Sequence, residues 1–149
     1  MRDDATMSVV AFRLEMPVAV QHGDLWTALV DWASHGDWIP ATRSHIVSGD
    51  GGLGTEFVAV SGFGKLALVD RMRVIAFDAA DGAAEVEKLG PVLRGTAGFT
   101  ITDRPGGCVL EWHERVVVPL LPAFLAPLAA ALGKALFRLA LQRLLRRLR

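Results

Sequence analysis

Between residues 8 and 18 the chain alternates strictly. Val10, Phe12, Leu14, Met16 and Val18 share one face and Arg13 and Glu15 take the other, the period-two mark of a half-buried strand. The period then lengthens. Leu25, Trp26, Leu29, Val30 and Ala33 recur at helical spacing from His22 onward, Gly36 ends that helix or splits off a second short one reaching Trp38, and Pro40 closes the section. From Arg43 to Pro119 strand-like runs alternate with turn residues at 49–54, 62–64, 78–82, 90–91 and 104–107, which makes about six consecutive strands. Past Leu120 the strand signal stops, and residues 121–148 read as one long helix that tolerates Pro122 in its first turn.

The predicted order is therefore strand, two short helices, six strands, long helix. A meander of about seven strands is antiparallel, its continuous apolar face needs a cover, and the C-terminal helix is the only element large enough. A curved sheet around one helix leaves a gap, so the pattern predicts an α+β domain with an apolar cavity. Side chains filling that gap are the alternative.

Strand phases say what faces the cavity. In VLEWHERVVVP, Leu110, Trp112, Glu114, Val116 and Val118 share the apolar face. Glu114 there must be paired, near a mouth or functional, because an unpaired buried carboxylate is costly and its pKa rises. In LRGTAGFTIT the inward set is Leu93, Gly95, Ala97, Phe99 and Ile101; in VDRMRVIAFD it is Met72, Val74 and Ala76, with Arg71 and Arg73 solvated. AEVEKLG is ambiguous: one phase buries Val86 with Lys88, the other Glu85 and Glu87 with Leu89. Pairing of Glu114 with Lys88 would anchor a ligand head group; a structural ion pair, or a bulge that turns Glu114 outward, is the alternative. The small residues Ala76, Gly95 and Ala97 leave room for a pocket of roughly 300–1,000 Å³. The expected lining is Trp38, Phe57, Met72, Val74, Lys88, Ala97, Phe99, Trp112 and Glu114, with Leu125, Leu128 and Leu132 from the helix.

That helix carries two stripes. Leu121, Leu125, Leu128, Leu132, Leu136 and Leu139 form one, and Phe137, Leu141, Leu144 and Leu148 lie nearly opposite among arginines. One straight helix cannot bury both against one sheet. The second stripe is thus expected to meet the protein's own edge after a bend near Gly133, to form a homodimer, or to touch a membrane surface through residues 137–149.

Composition narrows the classes. At 149 residues, 52% of them hydrophobic, the chain is expected to be one domain, with residues 1–7 disordered and 138–149 a basic helical tail. Sixteen basic residues balance sixteen acidic ones, which argues against nucleic-acid binding, yet residues 116–149 hold six bases and no acid. The apolar run 116–133 is broken by three prolines and is not expected to span a bilayer. MRDDATMS lacks an apolar signal core and Cys108 is the sole cysteine, so a cytoplasmic protein without disulfides is expected.

Recognisable chemistry is sparse. Gly49, Gly51 and Gly54 in GDGGLG satisfy a dinucleotide fingerprint, but the β-rich run TEFVAVSG follows where a helix is needed, so a hairpin turn is the reading. His22, His35, His45 and His113 never stand at metal-ligand spacing, and neither metal nor cofactor is expected. His35 and Asp37 read as a solvated turn, and Cys108 as a small packing residue.

LWTALVDWASHGDWIP, then GDGGLGTEF, VIAFD and VLEWHE before a closing helix, resembles the START-like superfamily, closest to its polyketide cyclase/dehydrase and lipid-transport-like proteins. The matching residues are Leu25, Trp26, Asp31 and Trp38 and the turn Gly49 to Thr55. The resemblance implies a helix-grip fold of Bet v 1/START type, a bacterial origin and a cavity for a lipid, isoprenoid or polyketide. It implies no single reaction. Three functions stay open: a binder of an apolar small molecule oriented by Glu114, a polyketide cyclase or dehydratase with Glu114 as candidate acid, and an interaction or membrane-peripheral module acting through the basic tail.

Overall fold

The computed structural model describes residues 7–148. Its order is β1 (Met7–Val18), α1 (His22–Leu29), a 3-10 turn (Trp32–Asp37), β2 (Thr42–Ser48), β3 (Glu56–Ser61), β4 (Leu68–Asp78), β5 (Ala83–Leu89), β6 (Arg94–Arg104), β7 (Gly107–Pro119) and α2 (Ala126–Arg147). Of the segment expected to be disordered, residues 1–6 lie outside the described residues, while Met7 opens β1.

The strands form one antiparallel sheet in the order β1-β7-β6-β5-β4-β3-β2. Each neighbour in sequence is a neighbour in space except β1, which closes against β7 with Met7 opposite Pro119 and Val18 opposite Cys108. The fold is the expected helix-grip: a seven-stranded sheet, two short helical elements after the first strand and a long C-terminal helix. The glycine-rich run 49–54 is the turn between β2 and β3, where Thr55 is fully buried and its Oγ1 accepts from the Gly51 amide.

Burial follows the period-two phases in β1, β6 and β7. Leu14, Met16, Val18, Ala97, Phe99, Ile101, Leu110, Trp112 and Val116 are buried. β5 adopts the phase that buries Ala84, Val86 and Lys88. Gly95 is glycine for a backbone reason as well as for space: at φ 140° a Cβ there would run into the Arg115 carbonyl of β7.

Two expectations about facing are corrected. Ala76 is exposed, because the β4–β5 register shifts between Val74 and Ala76 and the bulge turns Phe77 inward instead, onto the Trp26 ring at 5.1 Å. In α2 the leucine stripe is the outer one: Leu128 and Leu132 are 55% and 62% exposed. The inner stripe is built from Ala126, Ala130, Gly133 and Phe137, then Ala140, Leu141, Leu144 and Leu145, the last four buried. Small residues decide this. A Cβ on Gly133 would already come within 3.0 Å of the Phe12 ring, so the first half of α2 lies too close to β1 to admit leucines. The helix runs unbroken past Gly133, and its start is later than expected, with Pro127 rather than Pro122 in the first turn.

Candidate functional site

A cavity of about 240 Å³ lies between the concave sheet face, the 3-10 turn and the middle of α2. It is smaller than the range expected from sequence, because Phe137 enters it and stacks on Trp112 at 5.2 Å. The floor is aromatic. Phe99 stacks on Trp112 at 6.0 Å, and Trp32 stacks on Phe57 at 5.0 Å, held there by its indole N–H donating to the Gly51 carbonyl at 2.8 Å. Between these pairs Ala84, Val86, Ala97 and Gly98 are too short to fill the space. Ile39, Pro40, Ala59, Leu93 and Leu136 line it further out.

Three charged residues stand on this apolar wall, one each from β4, β5 and β7: Asp70, Lys88 and Glu114. Lys88 Nζ donates to Asp70 Oδ2 at 2.5 Å, and both side chains are largely buried. Lys88 is therefore committed to Asp70 and not to Glu114, the partner that one of the two readings of the sequence gave it. Glu114 accepts from the Trp112 indole N–H at 3.2 Å. Burial raises its pKa above the ordinary carboxylate value, against the opposing pull of the nearby Lys88 charge and the Trp112 hydrogen bond. Asp70 Oδ1 is buried with no hydrogen-bond partner. The wall thus offers an apolar slot with the Lys88 ammonium beside an unsatisfied acceptor.

Of the expected lining, Phe57, Met72, Lys88, Ala97, Phe99, Trp112 and Glu114 stand on the cavity wall. The other five do not. Trp38 and Val74 are packed behind it in the core, Trp38 edge-on to Trp112 at 6.3 Å; Leu125 is half-buried in the 3-10 turn that precedes α2, and Leu128 and Leu132 sit on the side of α2 turned away from the cavity. Asp70 was missed although the phase of β4 contains it, two residues before Met72 on the same face. His35 is not solvated: it is buried, its Nε2 is 2.8 Å from the Leu29 carbonyl oxygen, and burial lowers its pKa. Cys108 is a buried packing residue whose thiol donates to the Val20 carbonyl at 3.1 Å. Among the described residues no group of three His, Cys, Asp or Glu side chains could hold a metal ion.

A seven-stranded grip around a long helix, with an apolar pocket between them, defines the class of helix-grip proteins. The family model for polyketide cyclase / dehydrase and lipid transport matches residues 9–149, and the chain belongs to that family. Solved structures show the same fold. The crystal structure of Ara h 8.0201 superposes with a TM-score of 0.65 at 20% identity, covering 89% of this chain and 95% of that one. A protein from Chromobacterium violaceum gives 0.72 at 10% identity, with 93% and 97% covered. The di-domain ARO/CYC protein StfQ of the steffimycin biosynthetic pathway gives 0.64 at 18% identity, and 89% of this chain covers 49% of that longer one. No curated protein sequence matches this chain. Family and pocket together support a module that binds hydrophobic small molecules.

Proposed function

We propose that the protein binds a compact isoprenoid-like or polyketide-like molecule of one or two rings carrying a hydroxyl or keto oxygen. The observation behind this is the unsatisfied Asp70 Oδ1 beside Lys88 and Glu114 on an otherwise apolar wall. Size supports it: an apolar cavity of about 150 Å³ takes benzene, so this one of about 240 Å³ suits a bicyclic compound and not a long acyl chain. A ligand hydroxyl donating to Asp70 Oδ1 removes the cost of that buried acceptor, and the Lys88 ammonium supplies a donor for a carbonyl.

Native mass spectrometry beside the denatured spectrum, with extraction of whatever is carried along, is the first test. Titration with 2-naphthol against naphthalene, followed by tryptophan fluorescence, is the second. Saturable binding with about a tenfold preference for the hydroxylated ring is expected. No copurified molecule together with no naphthol binding would overturn the proposal.

The same three groups favour a second reading, a cyclase or dehydratase. Acid–base chemistry needs convergent proton donors and acceptors, and Asp70, Lys88 and Glu114 supply them on one wall. In a dehydration Glu114, in its protonated form, gives its proton to the departing hydroxyl, the Asp70 carboxylate takes the proton from the adjacent carbon, and an alkene and water result. Glu114→Gln should then abolish turnover of a β-hydroxy ketone while binding survives; surviving turnover rules Glu114 out as the acid.

A further inference from the structure

The sheet register brings three loops to one end of the molecule. Ser61 pairs with Leu68, so the β3–β4 loop closes there. Met72 pairs with Lys88, which sends the β5–β6 loop to the same end, and Arg94 pairs with Val117, which adds the β7–α2 connection. The largest exposed apolar side chains cluster on these loops. Leu66 is 91% exposed, Leu120 81%, Phe124 80% and Phe63 78%. Val92 is exposed on the β5–β6 loop, and the outer stripe of α2 continues the apolar surface through Leu128 and Leu132. The cavity opens beside them, since Ile39, Pro40, Leu93 and Leu136 line it from this end.

The loops that make this end, residues 62–67, 90–93 and 120–125, contain no Asp or Glu. Exposed Lys65 and Arg94 stand on or beside them, and exposed Lys134 and Arg138 follow along α2. Lys65 stands between Phe63 and Leu66, and Arg94 lies two residues from Val92. Of the acids nearby, Asp70 is paired with Lys88, Glu114 stands on the cavity wall and accepts from Trp112, and Asp37 faces Arg147 at 3.9 Å.

We propose that this end docks on an anionic lipid surface, with the loop tips inserted at the headgroup boundary, the outer face of α2 lying in the interface, and the cavity mouth against the bilayer. Apolar tips interleaved with cations and free of acids fit the interface of an anionic membrane, where burial of apolar surface and attraction to headgroups add. A second copy of this chain would bring the same cations face to face with no acid to meet them. The helical stretch Ala123–Arg147 is long and apolar enough to cross a bilayer. It lies on the surface instead, because Ala140, Leu141, Leu144 and Leu145 are already spent in the core. Docking so placed lets an apolar ligand pass between bilayer and cavity without crossing water.

The test is cosedimentation of the full chain with vesicles of phosphatidylcholine alone and of phosphatidylcholine mixed with phosphatidylglycerol. Binding to the anionic vesicles that weakens with added salt is expected. The pairs Phe63→Ser with Leu66→Ser and Leu120→Ser with Phe124→Ser should each lower partitioning at least about tenfold, since each removes two inserting side chains. All four positions are exposed, so circular dichroism and the melting temperature should stay as in the parent. Failure to bind anionic vesicles, or variants that bind like the parent, overturns the proposal. So does a dimer in sedimentation velocity that the same substitutions abolish, which would assign the face to a second copy. None of these outcomes depends on which molecule the cavity holds.

Discussion

Ala97→Leu tests whether the space between sheet and helix is a true cavity. Ala97 lies on the cavity wall, opposite Val86 of β5 on one side and Glu114 of β7 on the other, and its Cβ points into the gap. Leucine adds three carbons there. At about 0.8 kcal/mol for each buried carbon the gain is about 2.4 kcal/mol, less roughly 0.5–1 kcal/mol for ordering the new side chain. A net stabilisation of about 1.5 kcal/mol follows if the gap is open, which for a chain of this size raises the melting temperature by roughly 3–6 °C. Crowding a closed core would instead cost about 1–3 kcal/mol. Thermal denaturation followed by circular dichroism separates the two by sign. The same substitution should weaken 2-naphthol binding at least tenfold, because it occupies the space between the stacked aromatic pairs. A lower melting temperature with unchanged binding would refute the cavity as drawn.

Glu114→Gln should change the pH dependence of stability. Burial raises the Glu114 pKa above its usual 4.5, so the folded protein holds that proton more tightly than the unfolded chain. The contribution is whole below about pH 4.5 and is lost as pH rises through the folded-state pKa, about 1.4 kcal/mol for each tenfold difference in proton affinity. Relative to the parent, the glutamine variant should therefore gain urea resistance from pH 4.5 upward and then level off; parallel curves would show that folding does not raise the Glu114 pKa. Lys88→Met strands the buried Asp70 charge and should cost about 3–5 kcal/mol in guanidinium unfolding. Adding Asp70→Asn should recover most of it, and a single-variant loss below about 1 kcal/mol would contradict the buried pair. Deleting residues 138–149 removes Ala140, Leu141, Leu144 and Leu145 from the core. At about 2–5 kcal/mol per leucine this approaches the whole stability of a small domain, and the truncated chain should show no cooperative melt. A cooperative melt near that of the full chain would mean that the inner stripe of α2 is assigned wrongly.

The basic tail changes meaning accordingly. Seen in sequence, residues 138–149 look like an appendage whose second stripe seeks a partner. In the fold that stripe is part of the core, and the surface left without cover is the leucine stripe before it.

The order of elements, the phases of β1, β6 and β7, and Glu114 on the inner face are determined by the sequence alone. A sheet with one buried face has period two, and a slip of one residue would expose every apolar side chain in the strand. Asp70 is legible by the same rule, two residues before Met72 on the same face of β4. What the tertiary structure alone decides are the choices that depend on a neighbour distant in sequence. The phase of β5 rests on Asp70 waiting across the sheet for Lys88. Ala76 gives way to Phe77 because of a bulge that no period announces. In the first half of α2 the inner stripe is selected by how closely β1 lets the helix approach, so glycine and alanine take the inner side there and leucine the outer one. Apolar periodicity says which residues would benefit from burial, but where more candidates exist than the core can hold, steric fit decides which are buried.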